Sequence, residues 1–210
     1  MTDKPRTQSL FATLIADHQL DDPALIEALE QAVWALEEDD TAGGDWCDAQ
    51  GYDGYTSYAS LDDLPVRDPA FADLKLKLDP LADAFARAQH WDMEGRQLVL
   101  DSLWVNILGE SGNHSGHIHP NSVVSGTVYV AMPEGSGALK FEDPRLPMMM
   151  AAPPLRPDAP VQAARFVYRT PKIGSVLLWE SWLRHEVMAH RSETPRISIS
   201  FNYSVEAAPS

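Results

Sequence analysis

The spacing of apolar residues predicts helices in the first part of the chain. In 22–38 apolar residues recur at helical spacing, with Asp22 suited to the N-cap and Pro23 to the first helical position. A second helical stretch begins at 68–69. Between them, 39–66 is rich in Asp, Gly, Ser and Tyr, which predicts a loop. We expect both helices to cover a sheet.

From residue 96 onward the pattern is typical of short strands, rich in β-branched and aromatic residues and separated by Gly and Pro. The predicted strands are 97–107, 123–131, 138–141, 165–169, 175–180 and 196–203. Segment 143–160 holds six prolines, which predicts a long surface loop. The fold class is therefore α+β, mainly β, a sandwich or barrel of jelly-roll type. One domain over 1–210 is expected, helical in 10–95 and β in 96–205.

Composition narrows the classes of partner. The chain has 31 acidic and 16 basic residues, a net charge of −15, and no basic cluster. This argues against binding to nucleic acid or to an anionic membrane surface. No apolar run reaches the roughly 18–20 residues that span a bilayer, and no secretory signal is recognised. The single cysteine, Cys47, excludes an internal disulfide, so a cytoplasmic location is expected.

Five of the seven histidines lie in two short segments, GNHSGHIHPNS and WLRHEVMAHR. In an extended strand, residues i and i+2 project from the same face, so His117 and His119 can point at one ion. A third ligand from a distant strand would leave open positions for substrate and O2, as in non-haem Fe(II) oxygenases. A His-x-His pair alone is weak support, because exposed histidines on strands are common.

The last predicted strand, RISISFNYS, alternates strictly. Polar Arg196, Ser198, Ser200 and Asn202 share one face, and the apolar residues between them share the other. On an exposed sheet the polar face would be solvated, whereas in a barrel it would line a site. An inward Arg196 would need an anion, and a carboxylate such as that of 2-oxoglutarate suits it.

These residues resemble the 2-oxoglutarate and Fe(II)-dependent oxygenases. The resemblance, to a bacterial family of such enzymes, extends from about Phe11 to Tyr203. It rests on HIHPNSVVSGTVYV, with VNILG before it and LKFEDPR after it, and on the ending WESWLRHEVMAHRSETPRISISFN. The resemblance implies a double-stranded β-helix, a jelly-roll and cupin-like fold, with the N-terminal helices packed on one sheet. It also implies Fe(II), 2-oxoglutarate and O2 as cofactor and cosubstrates.

The resemblance also implies roles for single residues. His117 would be the first iron ligand and His185 the distal one. Arg196 would pair with the C5 carboxylate of 2-oxoglutarate and Ser198 would hydrogen-bond it. Asn106 and Tyr129 are further candidates for contact with the cosubstrate.

Position 119 departs from the family pattern, which has Asp or Glu there. His119 can itself be the third ligand, which is the interpretation we favour because i, i+2 placement needs no further assumption. Alternatively, Glu142 or Asp143 could supply a carboxylate, or the position could stay open, as in halogenases of this superfamily.

The remaining aromatic and histidine residues have structural interpretations. His114, in a Gly/Ser loop, is expected to face solvent. Trp104, Trp179 and Trp182 are expected to be core residues, although Trp182 could also flank the pocket.

Three functions are compatible with these patterns. The first is a 2-oxoglutarate-dependent dioxygenase that hydroxylates a small molecule or a peptide side chain. The second is a cupin-like three-histidine metalloenzyme that does not use 2-oxoglutarate. In that case Arg196 and Ser198 would lack a role. The third is a non-catalytic binding domain of the same fold, for which five clustered histidines would be superfluous.

Overall fold

A computed structural model describes residues 7–209. Residues 1–6 and 210 of the predicted 1–210 domain lie outside this range. Residues 1–6 also belong to the N-terminal segment in which no secretory signal is recognised. The helices are α1 (Pro23–Asp39), α2 (Thr41–Gln50), α3 (Leu64–Arg67) and α4 (Pro69–Ala88). The strands are β1 (Ile15–Gln19), β2 (Gly54–Thr56), β3 (Arg96–Leu108), β4 (His114–His117), β5 (Val124–Ala131), β6 (Leu139–Glu142), β7 (Phe166–Arg169), β8 (Ser175–Glu180), β9 (His185–Val187) and β10 (Arg196–Ala207).

The two predicted helices form and begin as expected. The side chain of Asp22 accepts a hydrogen bond from the Leu25 N–H, and Pro23 opens α1. Asp68 caps α4 in the same way, accepting from the Ala70 N–H at 2.7 Å. The apolar stripe of α1 is buried, as predicted: Leu25, Ile26, Leu29, Val33 and Leu36.

The prediction of a loop over 39–66 is wrong. This segment contains α2, β2 and α3. Asp40 caps α2 by accepting from the Gly43 N–H, and Gly51 ends it with φ of 63°. The weak amphipathicity of α2 hid it, because its stability comes from these caps and from packing of a few small residues rather than from an apolar stripe.

The strands form two antiparallel sheets, as predicted for a double-stranded β-helix. The larger sheet has the order β1-β8-β5-β10-β3-β2, and the smaller has the order β4-β9-β6-β7. All six predicted strands are present. The sequence pattern missed β1, β2, β4 and β9, which are three to five residues long. Within the loop predicted at 143–160, the only helical turn is a short 3-10 turn at 146–148.

Strand β10 is central to the larger sheet, between β3 and β5. Its apolar residues Ile197, Ile199, Phe201 and Tyr203 join the helices in one apolar cluster. Its polar residues face the other way, toward the smaller sheet, where a second cluster includes Leu108, Tyr129, Phe141 and Trp179. The strict alternation predicted from the sequence is confirmed, and it places the polar face between the two sheets.

The helices pack on the larger sheet, through the first apolar cluster, as expected. No helix among residues 7–209 has the length and apolar character needed to cross a membrane. The assignment of all 210 residues to one domain stays a prediction.

Candidate metal centre and anion pocket

Three imidazoles converge between the sheets. Each of the three residues contributes one ring nitrogen, and these nitrogens all lie within 4.8 Å of one another: His117, His119 and His185. The Nε2 atoms of His119 and His185 are 3.3 Å apart. Two nitrogens that bind one ion at about 2.1 Å are themselves about 3.0–3.4 Å apart, so this spacing suits ligands of a shared metal. We call these three residues the imidazole end of the cavity.

Two short strands place this group. His117 of β4 lies directly opposite His185 of β9 in the smaller sheet. His119 follows the end of β4, and its N–H donates to the Ser181 carbonyl at 2.9 Å. The predicted convergence is observed, although His119 lies beyond the strand rather than within it.

Backbone carbonyls fix the orientation of two of the rings. Nδ1 of His117 donates to the Ser115 carbonyl at 2.7 Å, and Nδ1 of His185 donates to the Leu183 carbonyl at 2.9 Å. A carbonyl can only accept, so in the neutral rings the proton sits on Nδ1 and Nε2 keeps its lone pair. Such outer partners orient metal-binding histidines and fix their tautomers.

Burial favours the neutral forms of His119 and His185. Removal from water lowers the pKa of His119 to about 4, and nearby His117 acts in the same direction. Burial likewise lowers the pKa of His185 to about 3, opposed by its bond to Leu183 and reinforced by the other histidines. A metal binds the neutral form of imidazole, so the lowered pKa values of His119 and His185 favour the form that a metal needs.

A buried arginine lines the same cavity. Arg196 is 1% exposed, and its Nε and Nη1 atoms have no hydrogen-bond partner among residues 7–209. It forms no ion pair within that range. A buried charge without a partner is costly, which indicates that this guanidinium binds an anion.

Tyr129 and Ser198 flank this arginine. The guanidinium carbon lies 5.2 Å from the centre of the Tyr129 ring, and the Tyr129 hydroxyl is also without a partner in the described chain. Ser198 lines the cavity and lies opposite Tyr129 on β5. We call Arg196, Tyr129 and Ser198 the guanidinium end of the cavity. The whole cavity has a volume of about 60 Å³.

Asn106 lies opposite Ser198 on β3 and is buried. Its Oδ1 accepts from the Thr56 hydroxyl at 3.0 Å, and its Nδ2 donates to the Ser200 hydroxyl at 3.2 Å. Its amide is therefore bonded to side chains of the protein, unlike the free donors of Arg196 and Tyr129.

The alternative carboxylates pair elsewhere. Glu142 lies 3.6 Å from Arg184, and Asp143 lies 2.8 Å from Arg145. Neither belongs to the group of metal-capable side chains identified among residues 7–209, which holds only the three histidines.

The sequence-based prediction for His114 is wrong. His114 was expected in a solvent-facing loop, but it lies in β4 and lines the cavity. Its Nε2 is 2.7 Å from the Tyr52 hydroxyl, and burial lowers its pKa to about 4. Tyr52 falls in the segment predicted as loop, 62 positions before His114, and no pattern in the sequence indicates this pair.

Aromatic side chains enclose the imidazole end. The rings of Trp179 and His185 pack edge to face at 4.8 Å, and the Trp104 ring lies 5.7 Å from that of His119. Both tryptophans are buried, as predicted, and both also line the cavity. Trp182, at 44% exposure, is not a core residue.

Solved structures share this fold. The epimerase SnoN from nogalamycin biosynthesis, described as non-heme and α-ketoglutarate dependent, aligns over 94% of this chain and 79% of its own, with 14% identity and a TM-score of 0.62. HygX from Streptomyces hygroscopicus, solved with nickel, 2-oxoglutarate and hygromycin B, aligns over 91% and 83%, with 16% identity and a TM-score of 0.61. A prolyl-4-hydroxylase from Pseudomonas putida aligns over 91% and 92%, with 13% identity and a TM-score of 0.56.

A search of curated proteins finds no match. A family model described as "Putative 2OG-Fe(II) oxygenase" matches residues 102–202, just under half of the chain. That segment holds all three imidazoles and Arg196. The part of the chain that carries the site therefore matches the 2OG-Fe(II) oxygenase family, which confirms the resemblance seen in the sequence.

Proposed function

We propose that this protein is an Fe(II)- and 2-oxoglutarate-dependent dioxygenase. One observation carries the proposal: three convergent imidazoles and a buried guanidinium without a partner in the described chain line the same cavity. The first group suits a divalent metal and the second suits the far carboxylate of a diacid. A metalloenzyme without 2-oxoglutarate would have no use for the second.

At the imidazole end, His117, His119 and His185 hold the metal through one nitrogen each. Iron, when bound, supplies activation of O2 coupled to oxidative decarboxylation of 2-oxoglutarate to succinate and CO2. Trp179 and Trp104 pack against these rings and limit the access of water.

At the guanidinium end, Arg196 donates charge-assisted hydrogen bonds to the C5 carboxylate of 2-oxoglutarate. The hydroxyls of Ser198 and Tyr129 add two further donors. Asn106 acts beside them by holding the Ser200 hydroxyl in place. Together these residues orient the cosubstrate so that its 2-oxo acid points toward the imidazole end.

The substrate proposed is a small molecule or a peptide side chain, and hydroxylation is the proposed outcome. The structures of HygX with hygromycin B and of SnoN with nogalamycin RO support the small-molecule class.

We further propose that the chain forms one domain, in which region 10–95 supports the β region 96–205. The buried, unpaired Cys47 fits the reducing cytoplasm.

Two measurements test the proposal. Under anaerobic conditions, 2-oxoglutarate added to the Fe(II)-loaded protein should produce a weak visible charge-transfer band. With O2 admitted and candidate substrates present, succinate should be released. Metal binding without this band would favour the three-histidine metalloenzyme, and absence of tight metal binding in the purified protein would favour a non-catalytic domain.

A further inference from the structure

His119 differs from the other two histidines in the partner of its Nδ1 atom. His117 and His185 donate from Nδ1 to backbone carbonyls, whereas Nδ1 of His119 lies 3.3 Å from Nδ2 of Asn202. A carbonyl can only accept a hydrogen bond. A side-chain amide can donate or accept, depending on how it is turned.

The surrounding network selects one orientation of this amide. The Ser102 hydroxyl donates to Asp101 at 2.8 Å, so it must accept from Asn202 Nδ2, at 3.0 Å. On the other side, Asn202 Oδ1 accepts from the Ser125 hydroxyl at 2.7 Å. Asn202 is 6% exposed, so these contacts rather than bulk water set its orientation. The amide nitrogen therefore faces His119.

This orientation decides the tautomer of His119. Because Nδ1 accepts from Asn202, the proton of the neutral ring sits on Nε2. That N–H points at Nε2 of His185, 3.3 Å away, which accepts because His185 already donates from Nδ1 to Leu183. The ligand atom of His119 is thus protonated when no metal is bound.

Metal binding through this nitrogen requires the opposite arrangement. The proton must move to Nδ1, which then needs an acceptor. A half-turn of the Asn202 amide supplies one, by bringing Oδ1 to His119 and Nδ2 to the Ser125 hydroxyl. The same half-turn brings Oδ1 to the Ser102 hydroxyl, which must then donate to Oδ1 instead of to Asp101. Ser125 can accept this bond while donating to Ser181, whose hydroxyl lies 2.8 Å away.

We propose that Asn202 is a positioning residue that controls whether His119 serves as the third metal ligand. In the metal-free protein it donates to Nδ1 and keeps Nε2 protonated; with metal it turns and accepts from Nδ1. The proposal rests on the proposed metal site and concerns a residue outside that ligand set.

The first test uses the metal-free protein and needs no activity. NMR chemical shifts of the ring nitrogens distinguish protonated from unprotonated positions, and His119→Gln assigns the signals. We expect the proton of His119 on Nε2 in the wild type. In Asn202→Asp, whose carboxylate can only accept, we expect it on Nδ1. The same tautomer in both proteins would overturn the proposal.

The second test is titration with Ni²⁺ as a redox-inert probe. Outer partners of metal ligands typically change affinity about 10- to 100-fold, so Asn202→Asp should bind Ni²⁺ more tightly and Asn202→Leu more weakly, each within that range. Asn113→Asp, the same change at an exposed asparagine, should leave the affinity unchanged. Thermal melts check that each variant is folded.

The results separate two failures. If the wild type binds no Ni²⁺, the proposed metal site fails, while the NMR comparison still tests the tautomer control. If the wild type binds Ni²⁺ and folded Asn202→Asp binds with the same affinity, the role of Asn202 fails and the metal site stands. Equal tightening by Asn202→Asp and Asn113→Asp would reduce the effect to net charge and also overturn the proposal.

Discussion

The two ends of the cavity differ in how their polar groups are partnered. At the imidazole end, each histidine has a hydrogen-bond partner on Nδ1, from Ser115, Asn202 or Leu183. At the guanidinium end, two nitrogens of Arg196 and the hydroxyl of Tyr129 have none within the described chain. The described chain thus supplies a partner to each Nδ1 atom at the first end, whereas the second end keeps donors available for the proposed carboxylate. We therefore expect changes at the two ends to have different consequences for folding.

The largest effect is expected from His185→Ala, which removes one of three candidate ligands. Since outer partners alone change affinity about 10- to 100-fold, loss of a ligand should weaken Ni²⁺ binding by more than about 100-fold. Titration of the purified protein measures this. His18→Ala, at an exposed histidine of β1, is the control and should bind as the wild type does. Undiminished affinity in His185→Ala would remove this residue from the metal site.

Arg196→Met should weaken the binding of 2-oxoglutarate and at the same time stabilise the ligand-free protein. Losing one partner of a buried charge pair costs about 2–5 kcal/mol, so the affinity for 2-oxoglutarate should fall by about 30-fold or more. In the ligand-free protein the same change removes an unpaired buried charge and should raise the free energy of unfolding by about 1–4 kcal/mol. Calorimetric titration and denaturant unfolding measure the two effects.

The control for this change is Arg156→Met, because the Arg156 side chain is 82% exposed. It should alter neither binding nor stability. A ligand at about 100 times its Kd adds about 2.7 kcal/mol of stability, whereas the same concentration after a roughly 30-fold or greater loss of affinity adds about 0.9 kcal/mol or less. We therefore expect 2-oxoglutarate to raise the melting temperature of the metal-loaded control much more than that of Arg196→Met. A destabilised ligand-free Arg196→Met would contradict the contrast between the two ends.

Asp40→Asn should affect stability but neither end of the cavity. Burial alone would raise the pKa of Asp40, but hydrogen bonds from Ser60, the Gly43 N–H and Tyr55 outweigh it, so the pKa lies below its ordinary value. A carboxylate with a lowered folded-state pKa stabilises the protein above its unfolded pKa of about 3.9, and this contribution disappears as the pH falls through the folded pKa.

We expect Asp40→Asn to reduce the free energy of unfolding by about 1–3 kcal/mol near pH 7. The difference from the wild type should shrink as the pH is lowered below about 4. Denaturant unfolding at several pH values measures this, with Asp39→Asn, at an exposed neighbour, as the control. A pH-independent difference would assign the effect to packing rather than to the charge.

The smallest effect is expected from Ser198→Ala at the guanidinium end. Loss of one hydrogen bond costs about 0.5–1.5 kcal/mol, so 2-oxoglutarate should bind about 2- to 10-fold more weakly. Titration of the metal-loaded protein measures this, with Ser9→Ala at an exposed position as the control. A loss as large as that of Arg196→Met would mean that Ser198 holds the arginine itself in place.

The strands with long apolar patterns could be predicted, because periodicity records which face is buried. Strand β10 is the best example: its alternation predicted which residues join the core and placed Arg196 on the opposite face, which the barrel turns toward the cavity. The family resemblance pointed to His117 and His185, and the i, i+2 spacing pointed to His119, which the fold brings together with them.

The short strands, helix α2 and the contact between Asn202 and His119 could not be predicted, because tertiary contacts determine them. Strands β4 and β9 are four and three residues long and form by pairing His117 with His185. Helix α2 depends on its Asp40 cap. The Asn202 contact to His119 joins residues 83 positions apart, and no spacing rule anticipates such a bond.

Strand β10 contributes to the packed interior with one side and to the cavity with the other. A one-residue insertion or deletion within it would exchange the two sides, burying serines among leucines and turning isoleucines toward the site. We therefore expect this strand to tolerate substitutions more readily than insertions or deletions. The proline-rich segment 143–160 contains no regular strand, so a change in its length would not exchange the two faces of a strand.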